Sequence, residues 1–394
     1  MLIGLVGRPN VGKSTFFKAV TLAEVEIASY PFTTIKANHG IGYVKIECID
    51  KEFNTQCSPN HGFCFKHQRF IPVELMDVAG LVPGASEGKG LGNQFLDELR
   101  QADVFIHIID VSGTTNVEGK PVKDYDCCND INFLEEELNK WYYNILMKVW
   151  KTFVRKTALE NSNFAEAVAK QFSGLKVKDF QVKTILLKLN LPKKPNLWNK
   201  EQVIEFASAL RKESKPMIIA ANKSDTEKGE ENYKKLKEKF PDLIIIPCSA
   251  DSELALKEAA KSKLIEYIPG EKDFTLIGNL NEKQKYALDK IKKKVLEKFD
   301  VGTGVQAVLN YAIFDLLKYI AVFPAGATKL ADSKGNILPD CFLLPEGSTA
   351  LDFAYFLHTD FGDNFIKAID ARTKRALGKN YILKHRDALE IVTK

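Results

Sequence analysis

Short apolar runs recur through the first 250 residues, each ending in a polar or glycine-containing segment. They occupy residues 2–6, 71–76, 104–110, 216–221 and 243–247. Such runs are typical of strands buried in a parallel sheet. The segments that follow 2–6 and 216–221 have helix-like composition. The pattern predicts an α/β fold with a mostly parallel sheet and helices on both of its faces.

About a hundred residues separate the strands that end near 110 and begin near 216, far more than an ordinary loop contains. Apolar residues at helical spacing predict helices over 132–157 and 163–172. We therefore predict a sheet domain formed by 1–115 and 210–275, with a helical insertion at 116–209. The apolar stripe of the first helix favours a core over a binding surface; it comprises Phe133, Leu134, Leu138, Trp141, Tyr142, Ile145, Leu146 and Val149.

The remaining residues predict two further units. Helical spacing over 282–299 and 304–317 indicates a helical connection at 276–318. Beyond it, strand-like segments at 320–323 and 340–345 precede a capping signal at 346–349 and a helix over 350–357. Further strand signals lie at 365–369 and 388–392. This order predicts a small β-grasp module at 319–394.

The first strand is followed by the phosphate-binding pattern G-x-x-x-x-G-K-[ST]. The glycines of this loop would let the backbone wrap a polyphosphate, since a Cβ would block the conformations needed. The start of the next helix would direct its dipole at the same charge. The alternative is a glycine-rich turn with an unrelated lysine. The pattern comprises Gly7, Arg8, Pro9, Asn10, Val11, Gly12, Lys13 and Ser14, and we predict nucleotide contacts from Arg8 to Thr15.

Particular roles follow from residue type. Lys13 would reach the outer phosphates, and the Ser14 hydroxyl would bind Mg²⁺. Asp77 ends the strand-like run 71–76 and begins the sequence D-x-x-G. An acid at that position would hold Mg²⁺ through water, and the Gly80 N–H would meet the γ-phosphate. D-x-x-G alone is a common turn; its place after a phosphate loop is what makes it informative.

The base is indicated by Asn222-Lys223-Ser224-Asp225, an N-K-x-D sequence after a buried-strand signal. The Asp225 carboxylate can accept from guanine N1–H and the 2-amino group, whereas adenine would leave it facing an acceptor. Asn222 would complete the pocket, and the Lys223 stem would cover the base. Ser249 and Ala250 would meet guanine O6 through the backbone. The alternative is a helix cap, since Asn, Ser and Asp all cap well.

These motifs resemble the G domain of the Obg family, in its YchF-like archaeal branch. Residues 30–34 with Asn38 and Gly40 are similar to the first switch of that family, and residues 77–96 to the second. Residues 344–350 with Phe353, Ala354 and His358 look like a TGS domain, a β-grasp module. YchF proteins of bacteria and eukaryotes typically replace N-K-x-D and prefer ATP; here the sequence is intact and favours GTP.

The resemblance implies that Thr34 is the Mg²⁺ ligand of the first switch, with Thr33 as the other candidate. Lys13, Thr34 and Gly80 are thus the predicted catalytic residues, and Ser14, Thr34 and Asp77 the predicted Mg²⁺ ligands. Leu81 stands where related proteins carry a water-orienting glutamine, so unaided hydrolysis is expected to be slow. Asn10 suggests K⁺ as a second cofactor, because some related GTPases with this asparagine use K⁺ in place of an arginine finger.

Charge and composition bear on partners and location. The net charge of +5 is too small to indicate a nucleic-acid binder, but residues 148–200 hold 12 Lys or Arg and three acids. That stretch is either an ordinary solvated helix face or a surface for RNA. Arg372 to Arg386 is a second basic run. No segment has the length of a transmembrane helix, the N-terminus resembles a strand rather than a signal peptide, and seven cysteines fit a reducing cytosol.

Cys57, His61, Cys64 and His67 form a tight cluster that could bind zinc or simply pack in a loop. Taken together, the sequence predicts a cytoplasmic GTPase that converts GTP to GDP and phosphate and acts on the ribosome, rRNA or tRNA. Two other functions stay open: an ATPase, and a nucleotide-gated RNA- or ribosome-binding module with negligible turnover. The sequence does not determine the oligomeric state.

Overall fold

The computed structural model describes residues 1–22, 38–78, 98–159, 163–192, 194–326, 329–332 and 334–394. Among these residues no helix combines the length and apolar character needed to cross a membrane. All seven cysteines carry free thiols.

A seven-stranded sheet forms the centre of the first domain. Its order is β2-β4-β1-β5-β6-β7, with the short β3 paired to β4. The strands from β4 to β7 along this order are parallel, while β2 and β3 run antiparallel to β4. The five predicted apolar runs are all strands of this sheet. The bounds are β1 Leu2–Val6, β2 His39–Glu47, β3 Phe63–Phe65, β4 Gln68–Asp77, β5 Val104–Asp110, β6 Met217–Asn222 and β7 Ile245–Cys248.

Helices cover both faces of the sheet, as predicted. One buried cluster joins β1, β5 and β6 to the helical insertion, where Leu134, Tyr142 and Leu146 are buried. The opposite face packs on α1 and on residues 305–316. The predicted helical stripe is therefore core. The helices of the first domain and insertion are α1 Lys13–Thr21, α2 Cys128–Leu159, α3 Phe164–Gln171, α4 Asp179–Leu189, α5 Lys200–Ser214, α6 Glu227–Lys239 and α7 Ala250–Lys261.

The helical connection differs from the two uninterrupted helices that the apolar spacing predicts. α8 (Glu282–Ile291) continues into a π-helical turn over Lys292–Leu296, and α9 (Val305–Asn310) into a second one over Tyr311–Leu316. A π turn takes an extra residue and rotates the side chains that follow. A small antiparallel pair, β8 (Ile265–Tyr267) and β9 (Phe274–Leu276), precedes these helices.

The C-terminal domain is a five-stranded sheet in the order β11-β10-β14-β12-β13, with one helix on its inner face. The parallel pairing of β10 with β14 between antiparallel neighbours is that of a β-grasp fold. A capping box between Thr349 and Asp352 begins the helix where the sequence predicts it. The bounds are β10 Tyr319–Pro324, β11 Phe342–Pro345, α10 Ala350–Leu357, α11 Thr359–Asp363, β12 Phe365–Asp370, β13 Ala376–Leu377 and β14 Asp387–Thr393.

The two sheets are joined by polar contacts at the β3–β4 edge of the first domain. Arg69, fully buried on β4, donates to the carbonyl oxygens of Leu338 (3.1 Å) and Pro339 (3.0 Å). Glu52 pairs with Arg372 and Arg386 of the C-terminal domain at 2.5 and 2.6 Å. Because a buried guanidinium must find acceptors, the position of Arg69 fixes the connection that precedes β11.

Candidate nucleotide-binding site

The loop between β1 and α1 has the backbone geometry that the phosphate-binding motif predicts. Gly12 has φ 93° and immediately precedes the first turn of α1. A Cβ at Gly12 would lie 2.3 Å from Nδ2 of Asn222. At Gly7 the restriction is space, since a Cβ would lie 2.5 Å from the carbonyl oxygen of Ile108. Position 12 requires glycine for two reasons: the backbone has a positive φ, and there is no space for a side chain.

Lys13 and Asp77 meet at the mouth of this loop. The Lys13 Nζ donates to Oδ1 of Asp77 at 2.8 Å and to the carbonyl oxygen of Val78 at 2.7 Å. Both side chains are about four-fifths buried. Ser14 follows Lys13 in the first turn of α1. The geometry thus places one cation, one carboxylate and one hydroxyl at the helix N-terminus, a donor set suited to phosphate and to Mg²⁺.

Asn222 connects the phosphate loop to the predicted base-reading segments. Its Nδ2 donates to the carbonyl oxygen of Val11 at 2.9 Å, and its Oδ1 accepts from the N–H of Ala250 at 3.0 Å. The side chain is buried at the end of β6. A single amide thereby ties three loops into one assembly at the carboxyl ends of parallel strands, the usual ligand position in open α/β sheets.

Lys223 forms a second link to the phosphate loop and also contacts the end of β5. It has φ 65°, and its Nζ contacts the carbonyl oxygen of Asn10 at 3.3 Å and Oδ2 of Asp110 at 2.8 Å. Burial acts to raise the pKa of the Asp110 carboxyl, but hydrogen bonds from Lys223 and Ser112 outweigh it and lower the pKa. Asp110 therefore anchors Lys223, a role that the sequence motifs do not reveal.

Asp225 lies half-buried just after Lys223, where β6 leads into α6. The Ser249 N–H donates to the Thr303 carbonyl oxygen at 2.9 Å, and the Ala250 N–H to Asn222. A contact from Ala250 to guanine O6 would therefore have to share the donor that holds Asn222. Thr303 also donates to the buried Glu253 at 2.5 Å, so the predicted base-reading segment at Ser249 and Ala250 is supported from the C-terminal side.

The Arg8 guanidinium binds side chains of the segment that follows β5. Its Nε donates to Oδ2 of Asp130 at 2.7 Å and its Nη1 to Oγ1 of Thr115 at 2.8 Å, while the guanidinium stacks on Tyr125. Only 4% of the residue is exposed. The guanidinium thus anchors the phosphate loop to α2 of the insertion.

An open groove runs along this assembly. Asn10, with φ 64°, lies on its wall and donates from Nδ2 to the carbonyl oxygen of Gly119 at 2.9 Å. The groove also includes Asp251 of α7, which the motifs do not single out. Its lining is Arg8, Pro9, Asn10, Gly12, Lys13, Ser14, Thr15, Lys223 and Asp251. Val11 is buried beneath it. Thr34, Gly80 and Leu81 lie outside the described residues, so their roles stay predictions.

The cysteine cluster has a different membership from the set that the sequence suggests. Cys48, Asp50, Cys57 and Cys64 converge, with all their ligand atoms within 4.8 Å of one another. Of the two histidines that sequence spacing suggested as ligands, His67 contacts Asp50 through Nδ1 at 3.0 Å. In the described part of the chain the convergent set does not include His61. Cys48 and Asp50 belong to the convergent set because a 3₁₀ turn over Ile49–Phe53 folds back on the β3–β4 hairpin.

Fold and site together define a P-loop nucleotide-binding protein of the GTPase class with a C-terminal TGS domain. Three family models match the chain. They are a 50S ribosome-binding GTPase over residues 2–146, an Obg-like GTPase YGR210-like G4 motif-containing domain over 220–326, and a TGS domain over 321–393. The chain belongs to the Obg-like, YchF-type family of P-loop GTPases.

Similar proteins extend over the whole chain. An uncharacterized GTP-binding protein of Methanocaldococcus jannaschii is 47% identical over 395 residues, covering 100% of this chain and 99% of that protein. The crystal structure of a GTP-binding protein from Pyrococcus horikoshii OT3 has 39% identity and a TM-score of 0.79, with 100% of both chains covered. The ribosome-binding ATPase YchF of Bacillus subtilis is 28% identical over 389 residues, covering 93% and 87%.

Proposed function

We propose that this protein hydrolyses GTP to GDP and phosphate, and that its nucleotide state controls its binding to the ribosome. The observation that carries the proposal is the double hydrogen bond of Asn222, which joins the phosphate loop at Val11 to the base-reading segment at Ala250. Through that amide the proposed phosphate site and the proposed base site would lie next to each other. The N-K-x-D sequence gives the base site a carboxylate, Asp225, that matches guanine and opposes adenine.

The chemistry follows from the residues of the groove. Lys13 and the N-terminus of α1 would stabilise the negative charge of the β- and γ-phosphates while water displaces GDP from the γ-phosphorus. Ser14 and Asp77, with Thr34, would hold Mg²⁺. When bound, the ion neutralises phosphate charge. Gly80 would donate its N–H to the γ-phosphate, and Leu81 offers no polar group to orient water. Intrinsic turnover is therefore expected to be slow.

A choice between GTP and ATP can be made by competition binding. The relatives named ribosome-binding ATPase make an ATPase the main rival. The intact Asn222-Lys223-Ser224-Asp225 sequence supports GTP. GTP and GDP should displace a fluorescent guanine nucleotide at concentrations at which ATP and ADP leave it bound. Equal displacement by ATP would favour the ATPase.

The ribosome is proposed as the partner because of the family model that names the 50S subunit and the relatives named as ribosome-binding. The test is co-sedimentation with ribosomal subunits from the source organism, with a non-hydrolysable GTP analogue or GDP. We expect pelleting that depends on the analogue. Equal pelleting in both states would contradict control by the nucleotide, and absent pelleting would remove the ribosome as partner. Either outcome would leave the nucleotide chemistry standing.

The basic loop of the C-terminal domain is the surface to vary in that experiment. Arg375 and Lys379 are exposed around β13. Replacing both by glutamate should weaken analogue-dependent pelleting by about tenfold or more, since each lost phosphate contact weakens binding and its salt dependence. Lys283→Glu, an exposed charge reversal on α8, is the matched control. An equal loss in the control would indicate a general charge effect.

We propose K⁺ as a second cation on the basis of Asn10. Its Nδ2 is held by Gly119, which fixes the side chain on the groove wall. Hydrolysis is expected to run about tenfold faster in K⁺ than in Na⁺ buffer at equal ionic strength, about 1.4 kcal/mol of barrier. Single-turnover rates in the two buffers provide the measurement, and Asn10→Ala should abolish the difference. Equal rates for the wild-type chain would exclude K⁺.

A further inference from the structure

Three thiols and one carboxylate converge at the edge of the first domain that faces the C-terminal domain. The Sγ atoms of Cys48 and Cys57 are 3.6 Å apart, and the Cys64 Sγ lies 3.6 Å from Oδ2 of Asp50. Cys48 and Asp50 have no exposed surface, and Cys57 has 6%. Four ligand atoms at 2.3 Å from a tetrahedral zinc would be separated by about 3.8 Å. The two separations of 3.6 Å, with all four ligand atoms within 4.8 Å of one another, fit a zinc ligand set.

Hydrogen bonds around the cluster hold these ligand atoms in position. The Cys57 N–H donates to Oδ2 of Asp50 at 3.0 Å, and the Cys48 N–H donates to the His67 carbonyl oxygen at 2.7 Å. Asp50 is oriented further by Nδ1 of His67, at 3.0 Å from Oδ1. A histidine bonded to a ligating carboxylate is the kind of outer contact that fixes metal ligands in place.

A divalent cation and a neighbouring guanidinium would compensate most of the charge of four deprotonated ligands. Asp50 is a buried carboxylate, and buried charge is costly unless it is paired. One guanidinium is close, because Nη1 of Arg69 lies 3.5 Å from the Cys57 Sγ. Three thiolates, one carboxylate and Zn²⁺ sum to a charge of −2, which Arg69 reduces to −1. Soft thiolate ligands select zinc over magnesium or calcium.

We infer that Cys48, Asp50, Cys57 and Cys64 form a structural zinc site, with His67 and Arg69 as its outer shell. The zinc ion would link loop 54–62, which contains Cys57, to the β3–β4 hairpin, which contains Cys64. That loop holds the C-terminal domain: the N–H groups of Ser58 and Asn60 donate to the carbonyl oxygens of Ile337 and Pro339, each at 2.8 Å. Zinc would therefore secure the junction between the two domains. This inference does not depend on the proposed nucleotide chemistry.

The test uses the full-length chain purified under reducing conditions without chelator. Elemental analysis should find one zinc per chain. Replacement by Co²⁺ should give the visible d–d bands of a tetrahedral ion and a thiolate charge-transfer band in the near ultraviolet. A folded wild-type chain that takes up neither Zn²⁺ nor Co²⁺ would overturn the proposal.

Variants assign the ligands. Cys57→Ser and Asp50→Asn should weaken Co²⁺ binding by at least about tenfold. Cys128→Ala, a buried cysteine of α2 in the helical insertion, is the matched control and should keep one equivalent. His67→Ala should bind more weakly but preserve the tetrahedral spectrum. If His67→Ala abolished that spectrum while Asp50→Asn preserved it, the assignment of Asp50 as a ligand would be wrong.

Metal removal gives a second readout that does not depend on variants folding. A strong chelator should lower the unfolding temperature of the wild-type chain and expose the 54–62 loop to proteolysis, because the binding energy of a structural zinc is folding energy. Cys128→Ala should respond in the same way. An unfolding temperature and cleavage pattern that a chelator leaves unchanged in zinc-containing protein would contradict a role at the domain junction.

Discussion

Substituting asparagine for Asp225 is expected to change the base preference from guanine to xanthine. The Asp225 carboxylate would accept from guanine N1–H and the 2-amino group, whereas an asparagine side chain can accept only through its oxygen and must donate through its nitrogen. Xanthine carries a carbonyl oxygen in place of the 2-amino group and so matches the amide. We expect the affinity for GDP to fall about 10³-fold or more, with xanthosine diphosphate binding restored toward the original affinity.

Competition against a fluorescent nucleotide measures both effects on the same protein. Asp251→Asn is the matched control, because Asp251 is an acid that lines the groove from the first turn of α7 and is not assigned a base contact. It should leave the guanine preference intact. The prediction would fail if Asp225→Asn kept its GDP affinity. A loss of GDP binding without a gain for xanthosine diphosphate would mean that the substitution disturbs the loop and does not alter a base contact.

Most of the architecture can be predicted from the sequence because the informative signals are local. Each strand of the parallel sheet is a short apolar run, and the phosphate-binding pattern fixes a turn whose geometry depends on Gly12. The capping box at Thr349 marks the helix of the C-terminal domain. These signals need only a few neighbouring residues, so a single sequence contains them in full.

What the sequence could not supply depends on contacts between distant residues. Nothing near Arg8 indicates that its guanidinium pairs with Asp130, 122 positions later. Lys223 likewise forms an ion pair with Asp110, which lies 113 positions away in the sequence. The thiol cluster shows the same limit at shorter range, since residue spacing suggested His61 and His67, whereas a 3₁₀ turn brings in Cys48 and Asp50. The π turns of the helical connection were missed because their period departs only locally from 3.6.

The substitution Lys13→Ala is expected to have the largest effect on the chemical step. In the structure the Lys13 ammonium is held 2.8 Å from Asp77 and 2.7 Å from the Val78 carbonyl oxygen, so it is positioned at the mouth of the loop. A cation preorganised there stabilises charge that develops on the transferred phosphate. We expect the single-turnover rate at saturating GTP to fall about 10³-fold, in line with removal of one such group.

Separating binding from chemistry decides what the lysine does. Lys18→Ala, an exposed lysine in the last turn of the same helix, is the matched control and should hydrolyse GTP at the wild-type rate. Lys13→Ala also leaves Asp77 without its ion pair, so its unfolding temperature should be measured alongside. A reduced rate in a variant that folds normally and is saturated with GTP assigns Lys13 to the transition state. Wild-type turnover in that variant would require another group to supply the positive charge at the phosphates. Within the described part of the groove the remaining lysine is Lys223, and Asp110 holds it near the predicted base-reading segment.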